Sequence, residues 1–389
     1  MLQYGYNTKL KKGDNMIYLD SAATTKPYPE VIKTIVDVLE NNWGNASSAH
    51  NFGHQSKEIV ENVRDQIAAD IGCNPEEIIF TGSGCEANSL AIDGVMSKSG
   101  TYHYNLFTTL LEHPSIEKAL KHVRHSIILN NDQGFILPEI LRAKLFENEI
   151  SSIRMPFVSI GAANSEIGTI QNIKELAKIT HNFHGIFHCD MTALYPHMRV
   201  NVQDLGIDMM TVSGQKFGAT EGVGFLYVRK GIELHPIIHG SQENGFRGGS
   251  YNTAFIAGMG KALEITRASN KNLVKLSTKL CRALLQIEGV HLNGPHINRL
   301  PNNINCTIDG VNADTLLTLC DMHGICISKG SACQSYNPVP SSTLKAIGLT
   351  DEQAQNTIRI SIGEHNTEEE IDYCIDIIPK LIKEIRLEG

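Results

Sequence analysis

The stretch Thr211-Val-Ser-Gly-Gln-Lys-Phe-Gly-Ala-Thr-Glu-Gly-Val-Gly-Phe225 joins two apolar runs through one lysine and a glycine-rich turn. Asp208–Val212 predicts a buried strand that leads into the turn, and Val223–Val228 predicts the strand that leaves it. Lysines are seldom buried without a partner, because desolvating an ammonium group is costly. Lys216 is therefore either a residue at a solvated strand end or a lysine kept between two core strands for its chemistry. This stretch alone leaves both interpretations open.

A lysine with a lowered pKa forms Schiff bases with carbonyl compounds, including pyridoxal phosphate. Asp190 ends a second predicted strand, and an aspartate there is the group that holds a pyridine nitrogen protonated. An aspartate at a strand end is nevertheless more often a cap or turn residue. The segment Phe80–Asn88 reads as a strand, a small-residue turn and a helix start whose N–H groups suit a phosphate. This glycine-rich turn matches no nucleotide-binding fingerprint, so alone it is a weak signal.

Strand and helix patterns alternate through the first half of the chain. The predicted strands are Glu77–Phe80, Leu106–Thr109, Ile127–Leu129, Phe157–Ile160 and Ile186–Asp190, and the predicted helices include Pro29–Asn41, Ser56–Ile71, Pro138–Phe146 and Ile173–His181, with further helices starting at Glu86 and Pro114. Such alternation predicts an α/β fold with a mostly parallel central sheet buried on both faces. Sites in these sheets collect at the carboxyl ends of the strands.

The pattern changes after Arg247-Gly-Gly-Ser250. Two helices are predicted over Thr253–Arg267 and Asn272–Leu285, and a capping box at Thr367-Glu-Glu-Glu370 announces a last amphipathic helix. We expect a large domain over residues 29–267. Residues 1–28 and 268–389 are expected to form a smaller α+β domain.

Composition excludes several classes of function. The formal net charge of -8 gives no basic footprint for nucleic acid. The nine cysteines are scattered, with no CxxC pair, which fits reduced thiols better than disulfides or a zinc site. Because no signal peptide or membrane-spanning run is evident, we expect a cytoplasmic protein with no membrane partner. The histidine pairs 50/54, 122/125 and 181/184 have spacings that invite a metal-site interpretation, but we expect no metal.

Cys333 lies among small polar residues, in Ile327-Ser-Lys-Gly-Ser-Ala-Cys-Gln-Ser-Tyr-Asn-Pro-Val-Pro340. Most of the other cysteines have apolar neighbours and are typical of core packing. A nucleophilic cysteine needs access and thiolate character. Cys333 is the cysteine whose sequence context offers access.

Taken together, the motifs resemble one family. In order, they are Tyr18-Leu-Asp-Ser-Ala-Ala-Thr-Thr25, Leu111-Glu-His113, Asn164-Ser-Glu-Ile-Gly168, Asp190, Ser213-Gly-Gln-Lys216, Gly330-Ser-Ala-Cys333 and Ile358-Arg-Ile-Ser-Ile-Gly363. From about Met16 to the C-terminus the chain resembles cysteine desulfurases of the NifS/IscS type, which are class V aminotransferases with the pyridoxal phosphate (PLP) fold type I. The cysteine segment has the long form of that branch.

The resemblance implies roles for individual residues. Lys216 would hold the cofactor and move the substrate's Cα proton, Asp190 would face the pyridine nitrogen, and His113 would stack on the ring and assist proton transfer. Gly84, Cys85, Ser213 and Gln215 would surround the phosphate, with Ser250 reaching it from the neighbouring subunit of a homodimer. Arg359 would bind the substrate carboxylate, in a pocket that includes Asn164 and Ser165. Cys333 would attack the substrate sulfur and carry it as a persulfide, leaving alanine.

Four positions depart from the family pattern. Cys85 stands where threonine is usual, Ser165 where asparagine is usual, and Gln215 where histidine is usual. Ala193 replaces a glutamine that contacts the cofactor's phenolic oxygen, and alanine cannot make that hydrogen bond. Losing one such bond costs on the order of 1 kcal/mol. We expect these changes to alter rate and spectrum more than the class of reaction.

The resemblance predicts an L-cysteine desulfurase that passes sulfur to an acceptor protein in iron–sulfur cluster assembly or thio-modification. One alternative is a selenocysteine lyase or a related β-eliminating enzyme. Another is a divergent paralogue that no longer catalyses and serves as a partner-binding subunit.

Overall fold

The computed structural model describes residues 16–96, 103–269, 272–330 and 340–388. Their strands are β1 (Ile17–Tyr18), β2 (Ile78–Thr81), β3 (Tyr104–Thr109), β4 (His125–Ile128), β5 (Met155–Gly161), β6 (Ile186–Asp190), β7 (Met209–Ser213), β8 (Gly224–Val228), β9 (Val290–Leu292), β10 (Asn303–Ile308), β11 (Ile325–Cys326) and β12 (Thr357–Ser361). The α-helices are α1 (Pro29–Asn41), α2 (Asn51–Ile71), α3 (Gly84–Met96), α4 (Pro114–Ala119), α5 (Pro138–Ser151), α6 (Ile173–Asn182), α7 (Val202–Leu205), α8 (Thr253–Ala268), α9 (Leu273–Leu284), α10 (Ala313–Met322), α11 (Ser342–Ala346), α12 (Asp351–Gln355) and α13 (Glu368–Glu388).

Seven strands form the central sheet in the order β2-β8-β7-β6-β5-β3-β4. All neighbours are parallel except at β8, which runs antiparallel to both β2 and β7. The prediction of an α/β fold with a mostly parallel sheet is confirmed. β8 runs the other way because the short turn after β7 cannot provide the crossover that a parallel pair requires. Lys216 lies in that turn.

A second apolar core lies around the three-stranded antiparallel sheet β12-β10-β9 and the parallel pair β1-β11. It combines Ile17 and Leu19 with residues of α9, α10 and α13. This packing supports assigning the N-terminal residues to the C-terminal unit, although the domain boundaries 29–267 and 268–389 stay a prediction. Thr367 and Glu370 form the predicted capping box: the Glu370 N–H donates to Thr367 Oγ1 at 3.2 Å and the Thr367 N–H donates to a Glu370 carboxylate oxygen at 3.1 Å.

Some helices begin or end at residues other than the predicted ones. At these ends, side-chain hydrogen bonds fix the boundary, and the apolar periodicity does not reveal it. α2 begins at Asn51, five residues before the predicted start, because His50 Nδ1 accepts a hydrogen bond from the Gly53 N–H at 3.1 Å and caps the helix. α5 continues to Ser151 because the buried Asn148 bonds Asn105 on β3 and the Arg154 carbonyl. Within the described ranges, no helix has the length and apolar character needed to cross a membrane.

Candidate active site

A cavity of about 520 Å³ opens at the carboxyl ends of β5, β6 and β7. This is the edge where open α/β sheets bind ligands. It is lined by ten of the twelve predicted site residues: Gly84, Cys85, His113, Asn164, Ser165, Asp190, Ser213, Gln215, Lys216 and Arg359. Ser250 is exposed and lies outside the lining of this cavity. Cys333 lies outside the described residues.

Lys216 is held at the cavity wall by the segment that follows β1. Its Nζ donates to the carbonyls of Ala22 and Ala23 at 2.5 and 2.6 Å. Thr25 clamps the turn, since its N–H and Oγ1 both donate to the Gln215 carbonyl and its Oγ1 accepts from the Gly218 N–H. This setting favours the chemical interpretation of Lys216 over a solvated strand end.

Asp190 presents a largely buried carboxylate at the end of β6. It accepts hydrogen bonds from Asn88 Nδ2 at 2.8 Å and from the Thr192 N–H at 2.9 Å. Asn88 comes from α3 and also bonds Ser115 Oγ at 3.0 Å, so three elements fix this carboxylate. Asn88 Oδ1 and Thr192 Oγ1 are buried and have no hydrogen-bond partner in the described part of the chain. No sequence pattern indicated a role for Asn88 or Thr192.

Glu112 is a second buried carboxyl group beside Asp190. It accepts from Thr109 Oγ1 at 2.6 Å and from the Gly161 N–H at 2.9 Å, which ties the loop after β3 to the end of β5. Burial, reinforced by the Asp190 charge, raises the pKa of Glu112 to about 8 against the smaller lowering effect of those hydrogen bonds. Glu112 is therefore mostly protonated at neutral pH. The motif Leu111-Glu-His113 contained this residue, but nothing in it indicated burial.

His113 caps α4 beside the cavity, and Pro114 occupies the first helical position that suits proline. Its Nδ1 accepts from the Ser115 N–H at 3.1 Å and lies 2.8 Å from Ser115 Oγ. Loss of solvent, with a smaller contribution from Lys216, lowers the pKa of His113, although Asp190 opposes the shift. A neutral ring that accepts at Nδ1 carries its proton on Nε2.

The start of α3 forms a close-fitting end of the cavity. A Cβ added at Gly84 would lie 3.0 Å from Ser213 Cβ and 3.4 Å from Thr192 Oγ1, so a side chain at this position would crowd the wall. Cys85 is exposed at the same helix start. The amino end of a 13-residue helix carries partial positive charge and attracts anions. This end of the cavity can therefore hold a phosphate.

Arg359 on β12 also lines the cavity and is only 1% exposed. Its Nη2 forms an ion pair with Asp20 Oδ1 at 2.7 Å, and its Nη1 lies 3.5 Å from the Ser165 carbonyl. Its Nε has no hydrogen-bond partner among residues 16–96, 103–269, 272–330 and 340–388. A desolvated guanidinium with remaining donor capacity binds carboxylates strongly. Asp20 lies in the motif Tyr18–Thr25, but nothing in that motif indicated its pairing with Arg359.

Asn164 and Ser165 shape the turn beside Arg359. Asn164 Oδ1 accepts from the N–H groups of Glu166 and Ile167 at 2.9 Å, and its Nδ2 donates to the Leu111 carbonyl at 2.9 Å. The Asn164 side chain therefore holds the loops together, and Ser165 contributes its carbonyl. Ala193 also lines the cavity and offers no side-chain hydrogen bond.

Two of the histidines weighed as metal ligands have other partners. His50 caps α2, and His181 Nε2 lies 2.9 Å from Asp208 Oδ2. In the ranges that the structure covers, no group of three or more histidine, cysteine or acidic side chains could hold a metal ion.

The family model for aminotransferase class-V matches residues 17–374. Cysteine desulfurase IscS of Dictyoglomus turgidum is 37% identical over 381 residues, which cover 95% of each chain. The X-ray structure of a NifS-like protein from Rickettsia africae superposes with a TM-score of 0.86 at 32% identity and covers 95% of this chain and 99% of that one. A structure titled "SspA in complex with cysteine" matches with a TM-score of 0.79 at 28% identity, over 90% of this chain and all of that one.

The family that these matches indicate is the one that the motifs at the cavity resemble. The fold is that of the NifS-like PLP enzymes of fold type I. The chain belongs to the aminotransferase class-V family and, within it, to the cysteine desulfurases of the NifS/IscS type.

Proposed function

We propose that this protein is a PLP-dependent L-cysteine desulfurase that converts cysteine to alanine and retains the sulfur as a persulfide on Cys333. The observation that carries the proposal is that Lys216, Asp190 and Arg359 line one cavity at the carboxyl ends of the sheet strands. The relatives named cysteine desulfurase IscS support this reaction. They do not favour a selenocysteine lyase or a non-catalytic paralogue.

The residues present fit PLP. The narrow space at Gly84 and Ser213, with the amino end of α3 beside it, suits the phosphate, together with Cys85 and Gln215. Thr192 Oγ1, which has no hydrogen-bond partner among the described residues, is a further group for that anion. The Asp190 carboxylate would pair with the pyridine nitrogen, and the Lys216 amine would bond to the aldehyde carbon. When bound, PLP supplies an electron sink for bonds broken at the substrate.

Arg359 binds the substrate carboxylate in this proposal. Asp20 fixes its guanidinium by one ion pair, so the arginine is oriented before the substrate enters. Asn164 and Ser165 hold the adjacent turn. Lys216 moves the Cα proton, and the neutral ring of His113 offers Nε2 as a donor toward the cavity.

Cys333 as thiolate attacks the substrate sulfur. A sulfur–sulfur bond forms as the substrate's carbon–sulfur bond breaks, and the electron pair of the broken bond stays with the substrate carbon. That carbon takes up a proton, so the products are alanine and a Cys333 persulfide. No outside oxidant or reductant is needed for this step.

We further propose a homodimer in which Ser250 completes the phosphate site of the partner subunit. Ser250 is exposed and does not line the cavity of its own chain. Both properties are expected of a residue that contacts the phosphate in the partner subunit. The acceptor of the persulfide sulfur is proposed to be a protein of iron–sulfur cluster assembly or thio-modification, in the cytoplasm. Direct nucleic-acid binding is not part of the proposal, because the chain carries a net charge of -8.

Incubation of the purified protein with PLP and L-cysteine tests the reaction. We expect equal amounts of alanine and, with reductant, sulfide. Lys216→Ala should abolish both products, whereas Lys118→Ala, an exposed lysine on α4, should not change them. Absence of alanine from the wild-type protein with bound PLP would overturn the proposal.

A further inference from the structure

Glu166 is a buried acid that the proposed reaction leaves without a role. It lines the cavity, is 4% exposed, and follows Asn164 and Ser165 in the turn beside Arg359. Its Oε2 accepts from Ser341 Oγ at 2.8 Å, whereas its Oε1 is buried without a hydrogen-bond partner among the residues that the structure describes. Burial raises the pKa of Glu166, against smaller opposing effects of Ser341 and Arg359.

The chain on both sides of residues 331–340 comes close to this one carboxyl group. On the entry side, a Cβ added at Gly330 would lie 2.9 Å from Glu166 Oε1, so the Gly330 backbone passes directly over the carboxyl group. On the exit side, Ser341 donates to Oε2 and also caps α11, since its Oγ accepts from the Leu344 N–H at 3.3 Å.

Both sides are also tied to the residues proposed to hold the substrate carboxylate. Before Gly330, the N–H of Ser328 donates to the Arg359 carbonyl at 3.0 Å and the Arg359 N–H donates back at 2.6 Å. After Ser341, Thr343 Oγ1 accepts from Asn164 Nδ2 at 3.4 Å. Glu166 therefore connects the two ends of the intervening segment at the point where both meet the substrate pocket.

We propose that Glu166 is a positioning residue for Cys333: through Ser341 on one side and Gly330 on the other, it fixes both ends of the cysteine-bearing segment relative to Arg359. The inference rests on the proposed desulfurase function. A substrate sulfur attached to a molecule held by Arg359 has a defined place, and a nucleophile must approach it within a narrow range of distance and angle. A misplacement of about 1 Å can slow such a step by about a hundredfold.

The role predicts a split between substrate binding and sulfur transfer. Glu166→Ala removes the acceptor for Ser341 and the group beneath Gly330, whereas Glu166→Gln keeps a side chain of the same shape whose amide oxygen still accepts from Ser341. We expect Glu166→Ala to form the Cys333 persulfide at least about tenfold more slowly in a single turnover, and Glu166→Gln to stay within about threefold of wild type. Cysteine affinity, measured by spectral titration in a Cys333→Ala background, should stay within about threefold in both.

Gly330→Ala and Ser341→Ala are perturbations from the two ends that leave Glu166 in place. Each should slow persulfide formation without weakening cysteine binding, because each disturbs one of the two contacts. If Glu166→Ala fails to fold, Gly330→Ala and Ser341→Ala still test the positioning role.

A readout without turnover separates this inference from the proposed function. Alkylation of Cys333 by iodoacetamide, followed at its own peptide by mass spectrometry, should change at least about threefold in Glu166→Ala. Cys73, which lies outside the cavity, should react as in wild type. If wild-type protein makes no alanine, the desulfurase proposal fails and this alkylation rate alone decides the positioning role.

Two outcomes would overturn the inference. The first is that Glu166→Ala forms the persulfide, and is alkylated at Cys333, at the same rates as the wild-type protein. The second is a loss of cysteine affinity as large as the loss of rate, because Glu166 would then act on the substrate and not on the cysteine segment.

Discussion

Replacement of Glu243 by alanine tests whether a buried ion pair holds the loop that leads to Ser250. Glu243 receives a two-pronged contact from Arg64 on α2, with Nη1–Oε2 and Nη2–Oε1 distances of 2.8 and 3.0 Å, and the Phe80 N–H donates to the same carboxylate at 3.2 Å. The two side chains are only 8% and 2% exposed. The backbone of Glu243 and Asn244 has positive φ, 50° and 54°, in which non-glycine residues are strained. The pair therefore holds a strained turn against the sheet.

Glu243→Ala removes the buried counter-charge of the Arg64 guanidinium and leaves it only the more exposed Glu61, whose Oε2 accepts from Nε at 2.9 Å. Breaking a buried pair in this way costs about 3–5 kcal/mol of unfolding free energy. With an unfolding entropy of about 2.1 cal/mol/K per residue, a chain of 389 residues should lose ~4–6 °C in melting temperature. The Arg64→Met/Glu243→Leu double variant should recover most of that loss, because no charge stays buried.

Urea unfolding followed by circular dichroism measures the free energies, and thermal unfolding measures the midpoints. Lys380→Ala removes an exposed ion pair with Asp376 and should change neither measurably. A loss below about 1 kcal/mol for Glu243→Ala, or a double variant as unstable as the single one, would show that the buried ion pair does not stabilise this turn.

Three further predictions concern the cavity. Arg359→Lys removes the planar fork and should raise KM for cysteine about 10–100-fold while the cofactor's absorption band remains, and an unchanged KM would remove Arg359 from the substrate site. Ala193→Gln should restore a hydrogen bond worth about 1 kcal/mol and tighten PLP binding about fivefold in titration of the apoprotein, whereas unchanged or weaker binding would place residue 193 away from the cofactor. Glu112 has a pKa raised from 4.5 to about 8, so its contribution to stability is fully present below pH 4.5 and is lost as pH rises toward 8. Glu112→Gln, which cannot titrate, should therefore gain stability relative to wild type in urea unfolding across that interval, and a constant difference would mean that Glu112 is ionised in the folded protein.

Local patterns predicted the elements that carry the site. β6 and α1 have the predicted bounds, because continuous apolar residues mark the strand and Pro29 with apolar periodicity marks the helix. The rule that sites collect at the carboxyl ends of strands anticipated that Asp190 and Lys216 would line one cavity.

The partners of these groups were not predictable in the same way. Asp20 and Arg359 are 339 positions apart, and Glu166 and Ser341 are 175 positions apart. No local periodicity records such pairings, since they arise only when folding brings the segment after β1 to β12 and the residue before α11 to the turn after β5. For the same reason, the burial that shifts the pKa of Glu112 could not be inferred from its motif.

The visible spectrum of the purified protein, before and after addition of L-cysteine, shows whether the cavity binds PLP and reacts with cysteine when wild type is compared with Cys333→Ala. We expect a cofactor band that changes with cysteine in both proteins, with alanine formed and sulfide released under reductant only by wild type. A protein that binds no PLP, or a cofactor band that cysteine leaves unchanged, would contradict the proposed desulfurase function.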